Sequence, residues 1–135
     1  MDGIDVAYME TDGERVVKRG PSKTYAYPNG LEDLLRHAIA DAVSITERLQ
    51  RPGRTAEAEA AITYLHLVAA ESFCKQHGLS DSNVDVIGFH GQTVLHKPEA
   101  RLTVQLGLGQ AGATDLKITD VFEFRPADCA DERTA

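Results

Sequence analysis

No stretch of this sequence approaches the run of about 20 apolar residues that a membrane-spanning helix needs. None has the basic, apolar and small-residue order of a secretory leader, so secretion is not expected. Positive charge is also scarce. Lys and Arg number 14 against 21 Asp and Glu, a formal net charge of -7, with an isoelectric point near 5.1. Without a basic stripe to displace counterions, the sequence argues against binding to nucleic acid or to an anionic membrane. There are two cysteines, Cys74 and Cys129, far apart in the chain. They are expected to be reduced thiols of a cytoplasmic protein, where disulfides are rare. There is no internal repeat and no low-complexity segment.

What is present suits one folded domain. At 135 residues, a chain buries roughly two-thirds of its unfolded surface. An apolar content of 42% supports a packed core over disorder. Ile4, Val6 and Tyr8 alternate with Asp5, Ala7 and Met9, the period of a strand. Asp12-Gly13 reads as a two-residue hairpin turn. A second strand is expected over Glu14–Arg19 and a third over Ser22–Tyr27, giving a three-stranded antiparallel meander closed by Pro28-Asn29-Gly30.

Leu31 to Leu49 reads as a helix, because Leu31, Leu34, Leu35, Ala38, Ile39, Ala42 and Val43 fall on one stripe. Glu32 and Asp33 suit its positive end, Arg48 and Arg51 its negative end. Pro52-Gly53 ends it. Thr55 is placed as the cap of a second helix reaching about His77, with Gly78 as a left-handed stop. His37, His66 and His77 are assigned surface or capping roles on these helices. Strands are expected at Val84–Phe89, Leu102–Leu108 and Ile118–Phe124, with a short helix over Ala111–Leu116. A meander followed by alternating helices and strands predicts an α/β fold with a mixed sheet covered by helices. From Arg125 onward no apolar period remains, so the domain is expected to close near residue 130 and residues 131–135 to be disordered.

The most informative stretch runs from Val84 to Pro98. An apolar run ends abruptly in His90-Gly91-Gln92-Thr93, the pattern of a buried strand delivering polar groups to its carboxyl end, where α/β sheets form ligand crevices. Gly88 and Gly91 would let a backbone or ligand approach closely. Imidazole, amide and hydroxyl groups both donate and accept hydrogen bonds, which suits the hydroxyls of a sugar. The plain alternative is a core histidine satisfied by backbone carbonyls. His96 lies six residues beyond His90, but no third ligand has metal-site spacing. Gly107, Gly109 and Gln110 fit either a strand-to-helix turn or an anion-binding helix start.

Ile87-Gly-Phe-His-Gly-Gln-Thr-Val-Leu-His-Lys-Pro98, followed by Thr103-Val-Gln-Leu-Gly107, resembles the anhydro-N-acetylmuramic acid kinases. Asp2-Gly-Ile-Asp5 resembles that family's first strand, and Phe124-Arg-Pro-Ala-Asp128 a later segment. The likeness extends to about Ala130. It implies a ribonuclease-H-like lobe of the sugar kinase, Hsp70 and actin superfamily, with ATP held between two lobes. The implied reaction is ATP-dependent phosphorylation of 1,6-anhydro-N-acetylmuramic acid at O6 with hydrolytic opening of the anhydro ring, in the recycling of cell-wall fragments.

By the same resemblance, Asp2, Gly3 and Asp5 are expected near the ATP phosphates, with Asp2 orienting magnesium or water. His90, Gly91, Gln92 and Thr93 are expected at the sugar, and Gly107, Gln110, Arg125 and Asp128 along the cleft. The sequence departs from the family pattern in several places. Met1 precedes Asp-Gly where the family has a Ser-Gly-Thr-Ser phosphate loop. Leu108 and Glu123 stand where the family has Asp. The Asp-Thr-Gly-Pro-Gly-Asn motif, which carries the family's catalytic base, does not occur in these residues. The expectation is a partial first lobe that is inactive alone, self-associates through the apolar face the other lobe would cover, or pairs with a separately encoded second lobe. A non-catalytic binding module and a degraded gene product are the alternatives.

Overall fold

The structure, a computed structural model, describes residues 3–108 and 118–122, with side chains described as far as residue 119. Strands β1 (Gly3–Thr11) and β2 (Val17–Ala26) come first, then helices α1 (Leu31–Ala42) and α2 (Thr55–His77). They are followed by β3 (Val86–Phe89), β4 (Gln92–Lys97), β5 (Leu102–Leu106) and β6 (Thr119–Phe122). A single 3-10 turn, Pro98–Ala100, joins β4 to β5. Among the described residues the strands form three two-stranded sheets: β1 with β2 and β4 with β5 antiparallel, β3 with β6 parallel. The α/β class stands, while the single mixed sheet is not formed among these residues.

The meander is a hairpin. The segments expected as separate second and third strands are one strand, β2, because the irregularity at Gly20-Pro21 is absorbed as a bulge. The register moves from Ala7 opposite Ser22 to Met9 opposite Arg19. Proline has no N–H to give a ladder and is tolerated at such a bulge. A Cβ on Gly20 would lie 2.5 Å from the Tyr8 ring, so glycine is what lets the strands stay together there. The turn is also longer than expected, spanning residues 12–16. The Asp12 carboxylate accepts from the backbone N–H of Glu14, Arg15 and Val16 at 3.0, 2.9 and 2.8 Å. These bonds hold its pKa below the usual carboxylate value.

Helix α1 buries most of the stripe expected of it, Leu31, Leu34, Leu35, Ala38 and Ala42, while Ile39 is half-buried and Val43, just past the helix, is 66% exposed. It stops at Ala42, well before Leu49. Beyond that point β-branched Val43, Ile45 and Thr46 have weak helix propensity. Gln50 Oε1 accepts from the N–H of Thr46 and Glu47 at 2.9 and 3.2 Å, replacing helical bonds with a loop. The turn drops Ile45 into the core, where it is 1% exposed. Arg51 therefore does not sit on the end of α1; it pairs with Glu59 on α2.

Helix α2 runs over the expected length and ends at Gly78, left-handed with φ 64°, whose N–H donates to the Cys74 carbonyl. Its start differs. Thr55 is inside the helix, buried, and its hydroxyl donates to the Pro52 carbonyl at 2.6 Å. The orphan N–H of Arg54 is instead satisfied by the Asp41 carboxylate from α1 at 2.7 Å. Gly53 permits this, because a side chain there would collide with Asp41. The core joins α1 and α2 to β4 and β5, with Leu35, Ile62, Val94, Val104 and Leu106 at its centre. Each such side chain contributes roughly 1.5–3 kcal/mol by leaving water. No described helix is long and apolar enough to cross a membrane.

Candidate functional site

Strand β3 is short, and its residues alternate between exposed and half-buried. It is thus not the covered strand the apolar run suggested; one edge pairs with β6, and nearby opens a cavity of about 580 Å³. Residues Ile4 to Thr11 of β1 line one part of it and Val84 to His90 another, while α2 supplies His66, Ala70, Phe73 and Cys74. That volume lies within the roughly 300–1,000 Å³ usual for small-molecule sites. Burial of Cys74 pushes its thiol pKa up, so it stays protonated and unreactive.

His90 is exposed and lines the cavity. The reading of it as a core histidine is thereby excluded. Its backbone is fixed by β5, since Gln105 Nε2 donates to the His90 carbonyl at 2.5 Å. Gly91 is buried in a left-handed conformation, φ 60°, pressed against the Leu106 carbonyl so that no Cβ fits. The expected close backbone approach is real at Gly91. At Gly88, which pairs with Val121 and lines the cavity, a Cβ would meet no described atom within 4 Å, so no crowding among the described residues requires glycine there.

Gln92 and Thr93 do not line the cavity with His90. They open β4 opposite Leu106 and Gln105, both half-buried, and Gln92 Nε2 donates to the Thr93 carbonyl at 3.3 Å. A strand at Gln92–Lys97 was not expected from the sequence, and it draws these polar groups into a hairpin. His96 is part of the same hairpin, with Nδ1 2.9 Å from the Thr103 hydroxyl on β5. Among the described residues no group of three or more His, Cys, Asp or Glu is placed to hold a metal ion.

The residue that sequence reasoning misplaced is His66. A helical surface or capping role is expected of it, yet it is half-buried on α2. Its ring lies edge-on to Phe89, centroids 5.0 Å apart, and 6.2 Å from the ring of His90. Its Nδ1 lies 2.8 Å from the Ile62 carbonyl, an acceptor only, so Nδ1 carries the proton. Burial, and secondarily the His90 charge, hold its pKa below the usual histidine value. The one available signal was its spacing: His66 falls four residues after Ile62 on the buried stripe.

At the candidate phosphate end, Gly3 is a strand residue opposite Ala26. A Cβ there would lie 2.6 Å from the Tyr25 carbonyl, so glycine serves the pairing of β1 with β2. Asp5 lines the cavity, and its carboxylate accepts from the Thr24 hydroxyl at 2.5 Å. A lone carboxylate already engaged by a hydroxyl does not make a magnesium site by itself. The described residues do not fit magnesium–ATP on their own. Gly107 closes β5 beneath the Phe89 ring. Asp2, Gln110, Arg125 and Asp128, like Cys129, the short helix over Ala111–Leu116 and the tail, lie outside the described residues.

The fold and the cavity define an α/β protein with a cavity of small-molecule size lined by β1, residues 84–90 and α2. The sequence pattern of the anhydro-N-acetylmuramic acid kinase family matches residues 1–132. The chain belongs to that family. It is 51% identical over 130 residues to the anhydro-N-acetylmuramic acid kinase of Azorhizobium caulinodans, covering 96% of this chain and 35% of that protein. Similar proteins of the same name occur in Rhodopseudomonas palustris, 49% identical over 96% of this chain and 35% of the relative, and in Agrobacterium fabrum, 46% identical over 95% and 34%. The chain thus spans about a third of the length of these relatives.

Proposed function

We propose that this chain forms part of the substrate-binding lobe of an ATP-dependent kinase acting on 1,6-anhydro-N-acetylmuramic acid. The product of the whole reaction is N-acetylmuramic acid 6-phosphate, and the setting is cytoplasmic recycling of cell-wall sugars. The supporting observation is that one cavity has Asp5 on one wall and His90 on the other. These are the residues expected at the phosphate and sugar ends. Imidazole groups beside an aromatic wall of Phe89 suit a pyranose, offering hydrogen bonds to hydroxyls and an apolar surface to the ring face.

ATP is the phosphoryl donor of this reading, with magnesium as its counter-ion, and Asp2, Gly3 and Asp5 are the groups assigned near the phosphates. A superfamily membership with sugar kinases, Hsp70 and actin belongs to the same proposal. The chain alone binds sugar without turnover, because general-base catalysis needs an acid–base group within hydrogen-bond reach of the attacking water. Asp5 is tied to Thr24, and the family's base motif is not in these residues. A second lobe would supply it.

Calorimetric titration of the purified chain with the anhydro sugar tests the binding, and a coupled ADP assay tests the turnover. Heat of binding lost in His90→Ala, with no sugar-dependent ADP, is the expected result. No binding by the wild-type chain would leave the lobe-pairing reading. ADP production abolished by Asp2→Asn would overturn the claim of inactivity.

A further inference from the structure

Beyond Thr55 in its first turn, helix α2 carries two further buried polar side chains, Glu59 at 8% and Thr63 at 6% exposure. Buried polar groups are costly unless hydrogen-bonded, so where their bonds go shows what they hold. Arg51 engages the Glu59 carboxylate through both Nε and a terminal nitrogen, at 2.9 and 2.8 Å. The same carboxylate accepts the N–H of Gly107 at 3.2 Å. The Thr63 hydroxyl donates to the Glu59 carbonyl at 2.8 Å and accepts the N–H of Leu108 at 2.9 Å. Two successive backbone amides leaving β5 are therefore tied to α2 by side chains.

The end of β5 in turn holds the His90 turn. Gln105 donates to the His90 carbonyl. The Leu106 carbonyl presses on Gly91. Gly107, with φ 145°, lies so close to Phe89 that a Cβ would be 2.6 Å from the ring and 3.4 Å from Gly91 Cα. The His90 side chain is exposed, so its direction depends on its backbone being fixed from below. We infer that Glu59 and Thr63 are positioning residues for the candidate sugar-binding turn at His90, acting through Gly107 and Leu108, with Arg51 holding Glu59 in place. The inference rests on the sugar-binding reading for its consequence, though not for its geometry.

Three variants of the full chain test it. Thr63→Val keeps the shape and removes the hydroxyl, Thr63→Ser keeps the hydroxyl, and Glu59→Gln keeps the shape and removes the charge. Amide resonances of Gly91, Gly107 and Leu108 and the His90 imidazole titration are followed by NMR, beside thermal unfolding and calorimetry with 1,6-anhydro-N-acetylmuramic acid. Thr63→Val and Glu59→Gln are expected to displace the His90 titration and the Gly91 resonance and to weaken sugar binding about tenfold, the size of one lost hydrogen bond to a positioned group. Thr63→Ser is expected to restore all three. If the variants lower the unfolding temperature but leave His90 and Gly91 at their wild-type resonances, the two residues are merely structural and the inference fails. Should Thr63→Val not fold, Glu59→Gln decides by the same resonances. If the wild-type chain binds no sugar, the functional reading falls, while the His90 resonances still decide the positioning.

Discussion

His66 has the most informative chemistry of any single residue in this chain. Its folded pKa is held below the usual 6.5 by burial. The unfolded chain therefore takes up a proton, as pH falls through about 6.5, that the folded chain refuses. Stability is full above that range and is lost as the pH drops toward the folded pKa. The urea midpoint of the wild-type chain is expected to fall between pH 7 and pH 5.5 more steeply than that of His66→Gln, which has no such proton to refuse. Parallel pH profiles for the two proteins would contradict the assignment. At Gly91, a positive φ and the Leu106 carbonyl both oppose a side chain. Gly91→Ala is expected to cost about 1–3 kcal/mol by strain at a special backbone position, with the proposed sugar binding lost along with it, as read by denaturant unfolding and calorimetry.

At the scale of elements, two connections depend on single carboxylates. Asp12 gathers three N–H groups at the β1–β2 turn, so Asp12→Ala should increase amide exchange throughout the hairpin. Since Asp12 has a lowered pKa, its support is present above the unfolded value of about 3.8 and disappears as pH falls through the folded one. The second is Glu59, whose partner Arg51 lies 2.8 Å away, with side-chain exposures of 20% for Arg51 and 11% for Glu59. Removing one member of a largely buried pair strands the other. Arg51→Ala is expected to destabilise the chain by about 3 kcal/mol in equilibrium unfolding, whereas removing exposed Arg36 from Glu32 and Asp33 should cost under about 1 kcal/mol.

For the whole molecule, the sheets remain separate pairs among the described residues, and large apolar groups stay in water, including Leu49, Tyr64 and Val86. Exposed apolar surface favours association. Light scattering is expected to show mass rising with concentration, and a monomer throughout a wide concentration range would refute this. The core itself is continuous between α1, α2, β4 and β5. Leu35→Ala, at a position 0% exposed, should cost about 2–5 kcal/mol.

The sequence by itself determined what repeats along the chain. The Leu31–Ala42 stripe, the Ile4–Val6–Tyr8 alternation and the Gly78 stop are periodic or local signals, and each led to the element found. His90 was legible as the polar tip of a strand for the same reason. Only the tertiary structure decided the events set by distant partners. Asp41 caps a helix it does not belong to, Arg51 leaves the end of α1 for Glu59, and Gln92 and Thr93 are captured by β5. His66 turns from a surface residue into part of the cavity because Phe89 packs against it. These are competitions between a local preference and a partner far along the chain, and the partner is absent from any short window of sequence. The longer-range contact wins because a buried polar group left without its bond costs more than the local propensity it overrides.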